Sequence, residues 1–296
     1  MAFTKSIPSA GLLALYAMQL APSVLADAPT CANDIPLSCS SSTMEPSCCF
    51  SNPGGAFLLT QYWDFDPSAG PSDSWTIHGL WPDNCDGTYE EFCDESREYS
   101  NITAIVEESG RTELLTYMNE YWKDYSGDDE SFWEHEWNKH GTCMNTIEPS
   151  CYTDYKPQEE VVDYLQQAVN LFKTLDSYKA LAAAGITPST SKTYTLSDIH
   201  KALGNIHDGF APYVACDDDD NLNEAWYFNY LRGNVANGLY EPAEKLTESN
   251  CPETGIKYPP KTGGEPSSLT SSTPTATPTS APTSSPTETP GHCKPK

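Results

Sequence analysis

Apolar positions Val161, Leu165, Ala168, Phe172 and Leu175 follow Pro157 at helical spacing and predict an amphipathic helix with one packed face. Trp75-Thr-Ile-His-Gly-Leu-Trp81 alternates instead. Trp, Ile and Gly fall on one side and Thr, His and Leu on the other, so a strand is expected from which His78 projects, ended by Pro82. Phe210 to Cys216 and Ala225 to Leu231 suit two strands joined by a turn from Asp217 to Asn221, and Ser197-Asp-Ile-His opens a short helix. Ser131 to Cys143, reading Ser-Phe-Trp-Glu-His-Glu-Trp-Asn-Lys-His-Gly-Thr-Cys, carries a helix signature. Ser131 and Glu134 form a capping box, and Gly141 supplies the stop. Helices and strands intermingle without a regular βαβ rhythm, which places the chain in the α+β class.

The Ser131 helix is also the chemically dense stretch. At about 100° per residue, His135, Glu136, Lys139 and His140 share an arc of about 140°, with Phe132 in its middle and Trp133 and Trp137 on the flank. Two imidazoles, a carboxylate and an ammonium within reach of one small anion suit acid/base chemistry. A solvated, salt-bridged face would account for one Glu–Lys pair but not for both histidines. A zinc helix needs histidines at i and i+4; here the second lies at i+5, and Lys139 occupies the i+4 place, where its ammonium would repel the ion. No metal or cofactor is expected.

Composition narrows the class. Met1 to Ala26 has Lys5, an apolar run from Gly11 to Ala21 and a Val-Leu-Ala end, the pattern of a secretory signal peptide. No later stretch is long enough for a membrane anchor, so the mature chain is expected to be soluble and secreted, with release outside the cell favoured over vacuolar delivery. Ten of eleven cysteines lie between Cys31 and Cys251, enough for five disulfides in an oxidising compartment. Adjacent Cys48 and Cys49 should not bond to each other, and Cys293 is the expected leftover. Residues 27–258 suit one domain. Residues 259–296 form a tail, nearly all Ser, Thr and Pro from Thr262 to Pro290, that is expected to be disordered, as an O-glycosylated stalk or a plain spacer. Asn101-Ile-Thr103 is an acceptor for N-glycosylation. Asp217 to Asp220 lacks the alternating calcium-loop pattern and suits a solvated turn. His200, His207 and His292 have no chemical context and are left as structural or surface groups.

Charge limits the partner. With 42 acidic against 16 basic residues and a net charge of -26, the surface cannot coat a polyanion, although a small site for one phosphate remains open. In acid, carboxylates lose charge while imidazoles gain it, so an acidic optimum is expected.

Ile77-His78-Gly-Leu-Trp-Pro82 and Trp133-Glu-His-Glu-Trp-Asn-Lys-His-Gly-Thr-Cys143 resemble the two active-site segments of the ribonuclease T2 family, in its fungal branch. The ten-cysteine pattern with its vicinal pair is similar too, over residues 31 to 258; the tail is not covered. The resemblance implies a central, mainly antiparallel sheet with flanking helices. It also implies disulfides Cys31–Cys49, Cys39–Cys85, Cys48–Cys151, Cys93–Cys143 and Cys216–Cys251. The activity it implies is a metal-independent acid endoribonuclease of low base specificity. Single-stranded RNA would be cut by transphosphorylation to 2′,3′-cyclic ends, and DNA, which lacks the 2′-hydroxyl, would not be cut.

By the same resemblance His140 is the general base and His78 the general acid; Glu136 and Lys139 stabilise the phosphorane, and His135 binds the phosphate. The residues alone do not say which imidazole is acid and which is base. Trp81, Asp83 and Tyr89 would hold the base 5′ of the cut, by stacking and by a carboxylate that accepts from an exocyclic amine, and Phe132 would contact the base beyond it; stacking tolerates any base. A monomer is expected. A secreted binding or toxin-like glycoprotein on the same scaffold, with a protein or cell-surface partner, is the competing class; the complete set of site residues favours the enzyme.

Overall fold

Ala56, Phe57, Leu58 and Leu59 form an apolar run that a sheet can bury on both faces, and they open its central strand, β1 (Ala56–Tyr62). A computed structural model of the chain describes residues 28–41, 43–263, 265, 267 and 268. The expected signal peptide, Cys293 and nearly all of the Ser/Thr/Pro-rich stretch lie outside the described residues.

In order, β1 is followed by β2 (Thr76–Asp83), α1 (Ile102–Glu108), α2 (Thr112–Tyr121), α3 (Asp129–Lys139), α4 (Glu159–Thr174) and α5 (Ser177–Ala183). Then come β3 (Thr193–Thr195), α6 (Leu196–Gly204), β4 (Tyr213–Cys216), β5 (Leu222–Arg232), β6 (Leu239–Pro242) and β7 (Thr254–Lys257). The main sheet runs β2-β1-β5-β4 with β6 also on β5, every pairing antiparallel; β3 and β7 form a small second sheet. This is the α+β architecture with flanking helices. One core carries Phe57, Leu59, Ile77 and Leu80 together with Val161, Leu165, Ala168 and Phe172 of α4. A smaller cluster of Ala56, Leu58 and Phe228 lies under Trp81 and Trp226.

Disulfides join Cys31–Cys49, Cys39–Cys85, Cys48–Cys151, Cys93–Cys143 and Cys216–Cys251, so the vicinal pair ties two separate segments to one point.

Local signals misplace several boundaries. The helix expected from Ser131 begins at Asp129, because the Asp128 carboxylate takes the capping position and accepts from the Ser131 amide at 3.2 Å. Ser131 and Glu134 therefore form no capping box. Nor does Gly141 act as a left-handed stop: α3 closes on His140, and residues 141–143 continue as a short 3-10 turn. Glycine is needed at 141 for space, since a Cβ there would sit 2.2 Å from the Trp137 ring. Pro82 does not end its strand. Opposite Phe57 in the edge strand β2, it is tolerated where a missing N–H costs little. Gln158, in a left-handed conformation, precedes α4 one residue after Pro157. The expected strand from Phe210 shortens to β4, whereas its partner lengthens to the eleven residues of β5. Thr195, not Ser197, caps α6, accepting from the Asp198 amide at 3.1 Å.

The stretch just past Tyr258, given to the tail by composition, packs on the domain. Lys261 is 7% exposed; its ammonium donates to the Ala69 carbonyl at 2.6 Å and the Ser74 carbonyl at 2.9 Å, over the face of Trp63.

Candidate active site

The alternation of β2 breaks at one residue. Thr60 of β1 pairs with Gly79 while the next residue, Gln61, pairs with Ile77, so His78 is a bulge with no partner in the register. The extra residue changes which side chains share a face. Leu80 joins Ile77 in the main core, and Trp81 crosses to the smaller cluster on the other face. Strict alternation would have set His78 and Trp81 on opposite faces; the bulge brings their rings to 4.7 Å, edge to face.

Helix α3 lies beside this strand because its aromatic flank is anchored on three sides. The Trp133 indole donates to the Trp122 carbonyl at 2.9 Å, and the Trp137 indole to the Arg97 carbonyl at 2.7 Å. Tyr164 of α4 donates to the Glu136 carbonyl at 3.2 Å. The Trp122 indole in turn donates to the His78 carbonyl at 2.9 Å, so one residue clamps both histidine-bearing segments. The Cys93–Cys143 disulfide ties the loop before α1 to the 3-10 turn that follows α3.

Glu136 sits at the junction, fully buried. Its Oε2 accepts from the Trp81 indole at 2.8 Å, and its Oε1 lies 3.4 Å from His78 Nε2. Burial pulls this carboxyl upward, but the charge and hydrogen bond of His78, with His140 and Trp81, together hold it below the ordinary glutamate value. Glycine at 79 makes the approach possible, since a Cβ there would stand 1.9 Å from Glu136 Oε2.

His140 lies on the far side of Trp81, stacked on the indole at 4.9 Å and 5% exposed. Its Nδ1 is buried without a partner among the described residues. Charging the ring would place a second N–H there, and burial pushes the imidazole down to about 4 despite the opposing pull of Glu136; Lys139, His78 and His135 push it the same way as burial. His135 and Lys139 occupy the open end of the arc. His135 is exposed, and Lys139 is half-buried, 3.6 Å from Glu91 and 6.0 Å from the centre of the Tyr89 ring.

These residues line a cleft of about 340 Å³ that takes in His78, Trp81, Asp83, Tyr89, His135, Lys139 and His140. Phe132 stands beside it, 5.6 Å from the His78 ring. Every side chain singled out by sequence for catalysis or base contact thus falls at one place. Asp83 differs from the expected carboxylate acceptor, because burial alone pushes it up to about 7. In acid it carries a proton, and so offers a donor as well as an acceptor.

Other participants were not legible in the sequence. Tyr62 stacks on His78 with ring centres 4.0 Å apart, and Trp226, Phe228 and Leu246 complete the cleft wall. Tyr62, Trp226 and Phe228 stand on β1 and β5, where an aromatic signals only a buried strand; the place of Tyr62 against His78 and of the other two in the cleft follows from which strands pair.

Residues 54–249 match the family model for the ribonuclease T2 family. Ribonuclease T2 of Aspergillus oryzae is 64% identical over 252 residues, covering 85% of this chain and 91% of its own. Ribonuclease Trv of Hypocrea rufa is 52% identical over 234 residues, covering 78% of this chain and 98% of its own. Among solved structures, the T2 ribonuclease Actibind superposes with a TM-score of 0.78 at 65% identity, over 79% of this chain and 99% of that one. Human RNase T2 superposes with a TM-score of 0.52 at 25% identity, over 70% of this chain and all of that one. With two histidines meeting a buried carboxylate in a fold shared at these levels of identity, the chain belongs to the ribonuclease T2 family and is a ribonuclease.

Proposed function

We propose that the protein is a secreted acid endoribonuclease that cuts single-stranded RNA by transphosphorylation, leaving 2′,3′-cyclic phosphate ends. The observation that carries this reading is Glu136 buried between two imidazoles, 3.4 Å from His78 and one indole away from His140. The reaction needs one group to take the proton of the 2′-hydroxyl and another to protonate the leaving 5′-oxygen. His140, held neutral above about pH 4, suits the base. His78, whose Nε2 faces the Glu136 carboxylate and whose ring stands across Trp81 from His140, suits the acid.

Lys139 and His135 stand at the open end, where phosphoryl oxygens gain negative charge, and Glu136 is fixed behind them by the Trp81 indole and beside His78. Trp81, Tyr89 and Phe132 offer faces on which bases stack without regard to identity, and Asp83 adds a polar contact. DNA, lacking the nucleophile, is not a substrate. Five disulfides fit an oxidising compartment, and Asn101 is exposed at the start of α1, as a glycosylation acceptor must be. No helix among the described residues is long and apolar enough to cross a membrane.

The test is cleavage of homopolymeric RNA at about pH 4.5 with a chelator present, comparing wild type with His78→Phe and His140→Phe and analysing for cyclic ends. Wild-type cleavage that both substitutions abolish, with cyclic ends, is expected. A folded wild type that is inert, or a rate that rises steadily from about pH 5 to about pH 8, would sink the reading.

A further inference from the structure

We propose that Tyr62 is a positioning residue for the His78 imidazole, holding Nε2 as its proton-bearing atom, with Glu224 anchoring the phenol from the neighbouring strand. The proposal rests on His78 acting as the general acid. His78 is a bulge residue at a sheet edge, and backbone pairing does not fix its ring. Side chains do so instead. The Tyr62 ring stacks on the imidazole at 4.0 Å and 19°, Phe132 lies 5.6 Å away, and Trp81 meets it edge-on.

The polar contacts converge on one atom. Nε2 lies 3.3 Å from the Tyr62 hydroxyl and 3.4 Å from Glu136 Oε1, while Nδ1 is buried without a partner among the described residues. In the neutral ring a proton on Nε2 has the Tyr62 hydroxyl as acceptor with the Glu136 carboxylate 3.4 Å away, whereas one on Nδ1 has no partner among the described residues, which selects the tautomer. The phenol can accept from Nε2 only if its own proton goes elsewhere. Glu224, opposite Tyr62 in the β1–β5 register, offers that place: its carboxylate is among the charges that act on the phenol, and it is itself fixed by the Trp226 indole at 3.0 Å.

The charged groups facing this pair are Glu224 from β5, Glu136 from α3 and Asp64 just beyond β1, all acidic, with His140 on the Glu136 side. Burial, followed by Glu224 and Glu136, holds the phenol above its ordinary range, so Tyr62 stays protonated throughout the working range. It relays orientation from a carboxylate to an imidazolium and does not titrate.

Tyr62→Phe keeps the stacked ring and removes only the hydroxyl. Loss of one hydrogen bond to a charged group should lower kcat by about 10-fold or more with KM within about twofold, and move the alkaline limb of the pH profile to lower pH. Nitrogen NMR of labelled histidine should show the His78 Nε2–H tautomer losing its dominance. Glu224→Gln, which leaves Tyr62 in place and serves if Tyr62→Phe fails to fold, should move the same limb in the same direction, and the double variant should fall short of additivity. An unchanged limb in either folded variant, or a change confined to KM, overturns the proposal. Inert wild type, or full activity in His78→Phe measured alongside, would refute the functional reading itself, and that result is distinguishable.

Discussion

Gly79→Ala adds a single methyl group at the point where β2 and α3 touch. The new Cβ would lie 1.9 Å from Glu136 Oε2, 2.8 Å from its Cδ and 2.9 Å from the Trp81 indole nitrogen. Ordinary contact begins near 3.4 Å, so the carboxylate must retreat by about 1.5 Å in a site where it is fully buried. Retreat breaks the 2.8 Å bond from Trp81 and carries Oε1 off His78 Nε2. Overpacking together with a lost charge-assisted hydrogen bond should cost on the order of 3 kcal/mol of stability. A displacement of more than about 1 Å at a reacting group should lower kcat by roughly 100-fold. The assay pairs a thermal melt with RNA cleavage at saturating substrate. Introducing the same methyl into a Glu136→Ala background separates cause from consequence, because the carboxylate clash is then gone and only the 2.9 Å approach to the Trp81 indole nitrogen remains, so most of the added effect should vanish. Wild-type kcat and melting in Gly79→Ala would refute the reasoning.

Two further outcomes follow from the same geometry. Asp83→Asn should leave base preference within about twofold of wild type at pH 5, where burial keeps the carboxyl protonated and the amide resembles it, and diverge above about pH 7, as dinucleotide cleavage across pH would show; equal divergence at both values would mean that the acid is already ionised. Ending the chain at Tyr258 removes the Lys261 ammonium from the carbonyls of Ala69 and Ser74 and the Pro259 carbonyl from the Trp63 indole. That should cost about 3 kcal/mol and lower Tm by roughly 6–12 °C, and a melt within about 2 °C of the full chain would show that the strap adds nothing.

The chemistry was legible because it is concentrated in short segments. His135, Glu136, Lys139 and His140 share an arc of one helix, and helical spacing reports that whatever the helix packs against. Period also found α4, whose Val161, Leu165, Ala168 and Phe172 are all buried. Its limits appear at Asp128 and Gly141, where several residues compete for one cap or a neighbouring ring fixes the need for glycine. The strand at the centre of the sheet, β1, escaped notice because its apolar run has no alternation to mark it.

By itself the sequence determined which groups are available: two imidazoles, a carboxylate and an ammonium, on segments of known period, in a chain too acidic to coat RNA. Only the tertiary structure decided how they work together. Pairing of β1 with β2 forced the bulge that turned His78 and Trp81 to one side. Packing of α3 on β2 buried Glu136 between them, and pairing of β1 with β5 set Glu224 opposite Tyr62. Each of these depends on contacts far apart along the chain, and burial, which sets the protonation of His140 and Asp83, exists only once those contacts have formed.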